Sequence, residues 1–202
     1  MKTVIYIHGK GGDPDEAEEY AELFMRDRVI GMEYISETPW QAAEEFPALF
    51  DELCGDSREV VLIANSMGAY FAMVSLADRQ IEKAYFISPV VDMERLILDM
   101  MKSAGVSEDK LRECGEVVTD FGETLSWEYL SYVREHPVNW NTPTEILYGE
   151  NDMLTSFETV SAFAERTGAG LTVMPGGEHW FHTDEQMRFL KDRIAEKERS
   201  RE

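Results

Sequence analysis

The chain has 202 residues, 44% hydrophobic and 11% aromatic, with 19 Lys and Arg against 40 Asp and Glu for a formal charge of -21. That composition supports one globular domain with a sizeable core and excludes a disordered or fibrous segment. The negative field repels phosphate backbones and anionic headgroups, so nucleic acid and membrane surfaces are poor partners.

The opening MKTVIYIHGK stops at His8 and Gly9 without a small-residue cleavage site, and reads as a first strand rather than a secretion signal. No apolar run approaches the roughly 18 residues needed to cross a bilayer. Cys54 and Cys114 lack CxxC spacing and suggest neither a disulfide framework nor a metal site, so a reducing, cytoplasmic setting is the default expectation.

Short β-rich runs recur along the chain: TVIYIHG, VIGMEYI, VVLIANS, KAYFISP, TEILYGE and LTVMPGG. Each is followed by a turn signal and most by a helical pattern, which predicts βαβ units and a mostly parallel six-stranded sheet covered on both faces. Asp13-Pro14-Asp15-Glu16 supplies an N-cap, a proline at the first helical position and a glutamate three residues after the cap. Ala17, Tyr20, Ala21 and Phe24 are the expected buried stripe of that helix. Thr38-Pro39-Trp40-Gln41 repeats the device, as does Thr183-Asp184-Glu185-Gln186 before Met187, Leu190 and Ile194.

Between Ser88 and Thr144 lie more than fifty residues with no convincing strand. MERLILDMMKSAG, SEDKLRECGEVV and SWEYLSYVREH carry apolar residues at helical spacing, so the reading is a helical insertion over about 90–142 within a single domain of residues 1–202. Inserts of this length serve as lids or binding loops, or simply cover a sheet face. Trp127, Tyr129, Tyr132 and Trp140 are candidates for lining an acyl pocket, although aromatics at helical spacing are more often core.

The chemistry concentrates at strand ends. Ser66, in LIANSMGAY, sits between the buried run VVLIA and a helix-forming run, with the small residues Ala64 and Gly68 two places either side. A sharp turn there presents the hydroxyl at the carboxyl edge of the sheet, where open α/β sheets bind ligands. The Met67 amide is then available to a developing oxyanion. A serine hydroxyl attacks only when a base takes its proton, and the chain has four histidines. His179, in the loop after the last strand, lies at the same edge as Ser66 and is the best base; His182 is expected to enter or cap the last helix, His136 belongs to the insert, and His8 follows the first strand. Asp152 follows the next-to-last strand and is the favoured acid, with Glu150 and Asp92 as competitors. The alternative for Asp152 and Asp92 is a plain helix cap. His8-Gly9-Lys10-Gly11-Gly12 is a Gly-rich turn that lets backbone amides approach a substrate oxygen, and it lacks the spacing of a phosphate loop.

Taken together, HGKGG, ANSMG, YGENDML and GGEHWF, in that order at strand ends, resemble the α/β-hydrolase superfamily over nearly the whole chain. The resemblance implies a three-layer α/β/α sandwich at the compact, six-stranded end of the superfamily. It implies Ser66 as nucleophile, His179 as base and Asp152 as its carboxylate, with the Lys10 and Met67 amides as oxyanion hole on a loop supported by His8, Gly9 and Gly11. The insert becomes an expected cap. Ala64 replaces a common glycine, and Lys10 stands where an apolar residue is frequent. The resulting expectation is a serine hydrolase acting on a small ester, thioester or related acyl substrate, with no metal or organic cofactor. Cofactor-independent lyase or carbon–carbon bond chemistry, or a non-catalytic small-molecule binding protein, are the rivals that motifs alone do not separate.

Overall fold

The computed structural model describes residues 1–199. They divide into two compact units, Met1–Val91 with the chain from Asn139 onward, and Asp92–Val138.

The first unit is built on six strands: β1 (Thr3–Ile7), β2 (Arg28–Gly31), β3 (Val60–Asn65), β4 (Lys83–Ile87), β7 (Thr144–Gly149) and β8 (Gly170–Met174). Their order is β2-β1-β3-β4-β7-β8, and every pairing is parallel. Fully buried runs such as TVIYI and KAYFI suit a sheet covered on both faces. Alternation sends Val4, Tyr6, Val61 and Ile63 to one face, where they pack with Tyr20 of the helix Pro14–Phe24 and Leu190 of α7 (Asp184–Arg199). The other face meets α1 (Pro39–Cys54) and α2 (Met67–Ser75), which meet each other edge-on through Phe46 and Phe71 at 6.0 Å. The last strand is preceded by α6 (Phe157–Thr167), whose Val160 and Phe163 are buried. The three-layer sandwich with a parallel six-stranded sheet is therefore observed.

Helix starts follow the sequence signals. Asp13 and Glu16 form a reciprocal capping box, as do Thr38 and Gln41. At α7 the Gln186 backbone amide donates to Thr183 Oγ1, and Gln186 Oε1 accepts from the Thr183 amide in return. The segment Pro14–Phe24 departs from expectation, being a 3₁₀ helix with Ala17, Tyr20 and Phe24 buried and Ala21 exposed. A threefold turn does not keep residues 17, 20, 21 and 24 on one stripe as a 3.6-residue period would, and Ala21 lies outside the buried set. This helix is pressed against β2: a Cβ on Gly31 would lie 2.0 Å from the Pro14 carbonyl oxygen.

The second unit holds α3 (Met93–Ala104), α4 (Glu108–Cys114), β5 (Glu116–Val118), β6 (Thr124–Ser126) and α5 (Trp127–Glu135). The antiparallel pair β5-β6 was not expected in a segment read as helical. Its strands are three residues each, too short for alternation to register, and the turn Thr119 to Gly122, with Gly122 at φ 89°, was the available signal. Arg134 ties the unit together, donating to Glu94 at 2.7 Å and to both oxygens of Glu108. Trp140 belongs to the first unit as core: it is buried against Phe86 and donates its indole N–H to Thr144. Trp127 stacks under Arg112, and Tyr132 on His136, within the second unit.

Candidate active site

Ser66 leaves β3 with φ 49° and ψ -114°, a left-handed conformation that costs an ordinary residue roughly 1–2 kcal/mol. The backbone around it holds that geometry. Its N–H donates to the Ile87 carbonyl at 2.9 Å, and its carbonyl accepts from Val90 and Ala69. Gly68 explains the small residue after the serine: a Cβ there would lie 2.2 Å from the His8 carbonyl oxygen and 2.7 Å from that of Ile7. Helix α2 therefore starts in direct contact with the end of β1. Gly9 also lies against the serine, though less tightly: its Cβ would meet the Ser66 Cβ at 3.2 Å.

The loop after β1 is a turn closed by Gly12 N–H on the Gly9 carbonyl, with Lys10 and Gly11 at its centre and Gly11 at φ 74°. His8 stacks on Tyr34 at 4.2 Å, and the Tyr34 hydroxyl donates to the His8 carbonyl at 2.8 Å. Beyond the turn, Glu16 accepts from the Asp13 amide and from the buried Tyr6 hydroxyl. Thus the predicted supporting residues His8, Gly9 and Gly11 all shape the stretch that abuts Ser66. Met67 is the first residue of α2, where an amide has no intrahelical acceptor.

Asp152 and His179 reach Ser66 from the ends of β7 and β8. The Asp152 side chain has no solvent exposure. Its Oδ1 accepts from the amides of Leu154 at 2.8 Å and Thr155 at 3.1 Å, and its Oδ2 lies 2.7 Å from His179 Nδ1. His179 Nε2 in turn lies 2.8 Å from Ser66 Oγ. A carboxylate oxygen only accepts, so Nδ1 carries the proton and Nε2 presents a lone pair to the serine hydroxyl. The arrangement can take a proton from Ser66 and stabilise the imidazolium that results.

Glu150, a competitor for the acid by sequence, and several groups that sequence reasoning did not single out hold the two loops together. A Cβ on Gly149 would lie 2.4 Å from the Glu178 carbonyl oxygen, so the His179 loop packs directly on the end of β7. The Asn151 amide donates to Gly177 O at 2.7 Å, and the Gly176 amide to Glu150 at 2.8 Å, which gives Glu150 a loop-fixing place. Tyr148 donates its hydroxyl to Thr155 O at 2.7 Å; burial pushes its pKa up to about 12, so it remains a donor. Ser88 is the other non-glycine residue with positive φ, at 42°, and its buried hydroxyl has no partner among the described residues. A glycine closing a strand and a serine before a proline were the only sequence hints of Gly149 and Ser88.

The remaining candidates lie elsewhere in the hydrogen-bond network. Asp92 caps α3 by accepting from the Arg95 amide at 2.9 Å. His136 bonds the Tyr132 carbonyl, and His182 the Trp180 carbonyl. Among the described residues no group of three His, Cys, Asp or Glu is arranged to hold a metal ion, and no helix is long and apolar enough to cross a membrane.

Comparison with protein-family models and with curated proteins returned no match. Solved structures do match. Est1E from Butyrivibrio proteoclasticus superposes with a TM-score of 0.75 at 16% identity, over 96% of this chain and 86% of that one. Alpha/beta hydrolase domain-containing protein 10 from mouse gives 0.76 at 13% identity, over 99% and 90%. An esterase of Pyrococcus furiosus gives 0.62 at 20% identity, over 96% and 80%. Sheet order, a serine at the strained turn out of β3 and these likenesses lead to one conclusion: the chain has the α/β-hydrolase fold.

Proposed function

We propose that the chain is a serine hydrolase that cleaves a small acyl substrate through an acyl-enzyme on Ser66. The observation that carries this is the unbroken chain from Asp152 Oδ2 through His179 to Ser66 Oγ, at 2.7 and 2.8 Å, on a backbone strained at the serine. Ser66 Oγ attacks the acyl carbon while His179 Nε2 takes its proton, and Asp152 fixes the tautomer and stabilises the imidazolium. The amides of Met67 and Lys10 are assigned to the oxyanion of the tetrahedral intermediate. Its collapse breaks the bond to the leaving group, which takes the proton back from His179. Water then gives its proton to Nε2, attacks the acyl carbon and releases the acid, returning Ser66 to its hydroxyl form. No metal or organic cofactor enters these steps. The structural likeness to esterases supports the reading at the level of fold.

The test is treatment with a fluorophosphonate, intact mass and peptide mapping, followed by turnover of p-nitrophenyl esters. One adduct on Ser66 and hydrolysis that drops by at least about 10⁴-fold in Ser66→Ala and His179→Gln is the expected result. A folded protein that takes no adduct, or a His179→Gln variant with full turnover, would overturn it. Labelling without turnover of any ester would leave an activated serine but refuse the hydrolase assignment.

A further inference from the structure

The two amides assigned to the oxyanion stand on separate segments, Lys10 in the turn after β1 and Met67 at the start of α2, so the pocket depends on what fixes one segment to the other. Close packing does part of this. A Cβ on Gly9 would lie 3.2 Å from the Ser66 Cβ and 3.4 Å from the Asn65 carbonyl oxygen. At the far end of the turn a carboxylate takes over: a Cβ on Gly12 would lie 3.0 Å from Glu16 Oε1, the oxygen that accepts from the Asp13 amide at 3.1 Å. Glu16 Oε2 accepts from the hydroxyl of Tyr6, a β1 residue only 1% exposed.

Tyr6 joins that carboxylate to the strand that carries the serine. In the β1–β3 register Tyr6 stands opposite Ile63, and Asn65, two residues on, shares its face of the sheet. The Asn65 side-chain amide donates to the Tyr6 hydroxyl, and Asn65 directly precedes Ser66. One buried hydroxyl thus accepts from the nucleophile's strand and donates to the carboxylate beside the oxyanion turn. Burial, then Tyr20 and Glu16, hold its pKa far above the usual tyrosine range, so it stays a donor at any working pH. The chain also contains a plain version of the Glu16 device. Gln41 closes the capping box of α1 by accepting from the Glu37 and Thr38 amides at 2.9 and 3.1 Å, bonds that are both exposed. Glu16 fills the same capping position and in addition grips a core tyrosine, which a cap does not require.

We propose that Asn65, Tyr6 and Glu16 are positioning residues, a strut that runs from the residue before Ser66 to the turn after β1 and holds the Lys10 amide where, with Met67, it meets the oxyanion. This rests on the hydrolase reading and names what sets the geometry of its oxyanion pocket. Loss of one oxyanion donor costs about 10²–10³-fold in kcat, so a donor left in place but no longer held is expected to cost at least about tenfold. Glu16→Gln keeps the strut: Oε1 still accepts from Asp13, Nε2 donates to the Tyr6 hydroxyl, and that hydroxyl donates to Asn65 Oδ1 once the Asn65 amide turns over.

The experiment titrates the active sites of wild type, Tyr6→Phe, Glu16→Ala, Glu16→Gln and the Tyr6→Phe/Glu16→Ala double variant with a fluorophosphonate, then measures kcat/KM on p-nitrophenyl acetate per titrated site and Ki for trifluoroacetone. That ketone takes Ser66 Oγ on its carbonyl carbon as His179 takes the proton, and leaves a stable oxyanion in the pocket. Expected in Tyr6→Phe and Glu16→Ala is a loss of at least about tenfold in kcat/KM, matched by the same factor in Ki, with no further loss in the double variant and recovery to within about threefold of wild type in Glu16→Gln. Gln41→Ala, which removes a cap alone, is expected to lower the urea midpoint with both constants within about twofold of wild type. A Tyr6→Phe variant with wild-type constants overturns the proposal. So do equal losses in Gln41→Ala, a fall in kcat/KM with Ki unchanged, losses that multiply in the double variant, or a Glu16→Gln variant no better than Glu16→Ala. Tyr6→Phe, which keeps the ring, decides the matter where Glu16→Ala fails to fold. A wild type that takes no label and turns over no ester overturns the hydrolase reading and this proposal with it.

Discussion

Gly68→Ala puts one methyl group into the contact between the start of α2 and the end of β1. The added Cβ would sit 2.2 Å from the His8 carbonyl oxygen, and Cβ atoms essentially never approach within 3.0 Å, so the helix start must retreat by about 0.8 Å. The obstacle is backbone on both sides, with Ile7 O at 2.7 Å behind it, so no side-chain rotation relieves it. Overpacking costs about 1–3 kcal/mol, against a gain of up to about 1 kcal/mol for alanine over glycine in a helix. A net loss of about 1–2 kcal/mol is expected. Because Ser66 is hinged to this turn, a displacement near 1 Å is expected to slow its phosphonylation and its kcat/KM by roughly 10²-fold. Urea unfolding and labelling rates measure both effects. Gly105→Ala is the control: it sits in open space at φ 65°, and is expected to lose about 1 kcal/mol with the labelling rate unchanged. A Gly68→Ala protein that is more stable than wild type, or as reactive, refutes the argument.

Asp152→Asn is expected to fold and to lose about 10⁴-fold in kcat, because an amide no longer fixes the His179 tautomer. Asp92→Ala is expected to cost about 1 kcal/mol of stability, as loss of a helix cap does, and to leave kcat unchanged; the reverse pattern in ester assays would make Asp92 the working acid. Ser88→Gly relieves the positive φ and removes an unpartnered hydroxyl, so thermal or urea unfolding is expected to show a gain of about 1 kcal/mol; a loss of that size would contradict the strain assignment. Burial raises the pKa of Tyr6, Tyr20, Tyr34 and Tyr148, so the folded chain keeps protons that the unfolded chain releases near pH 10. Stability is therefore fully present below pH 10 and falls as pH rises toward and beyond 12, more gently in Tyr148→Phe. A flat unfolding free energy from pH 8 to 11 would contradict this.

Six strands were legible because each is a compact apolar run ended by glycine, proline or a polar cluster, and the helix caps because Asp13, Thr38 and Thr183 carry local chemistry. The positions of Ser66, Asp152 and His179 could be written down for the same reason: each follows a strand, and parallel strands share one carboxyl edge. Strand order was not legible, since nothing in KAYFI says that β7, beginning more than fifty residues later, will be its neighbour. The glycines were visible as letters without their reason. Only the assembled chain places Glu178 O over Gly149 and His8 O over Gly68. Ser88 escaped notice because backbone strain leaves no mark in composition or periodicity.

The sheet order also sets a timetable for the chain as it is made. Strands β1 to β4 are adjacent in the sheet and occupy the first 87 residues, so their pairings close early in synthesis. Ser66 can be seated as soon as Ile87 and Val90 accept and donate their bonds. Asp152 and His179 arrive with β7 and β8, and the Ser66–His179 contact spans 113 residues. On the proposed mechanism, a nascent or truncated chain is expected to hold its serine without a base, with reactivity appearing only when the last two strands dock. Covalent labelling of chains arrested at different lengths would follow that docking directly, with Ser66 as its own reporter.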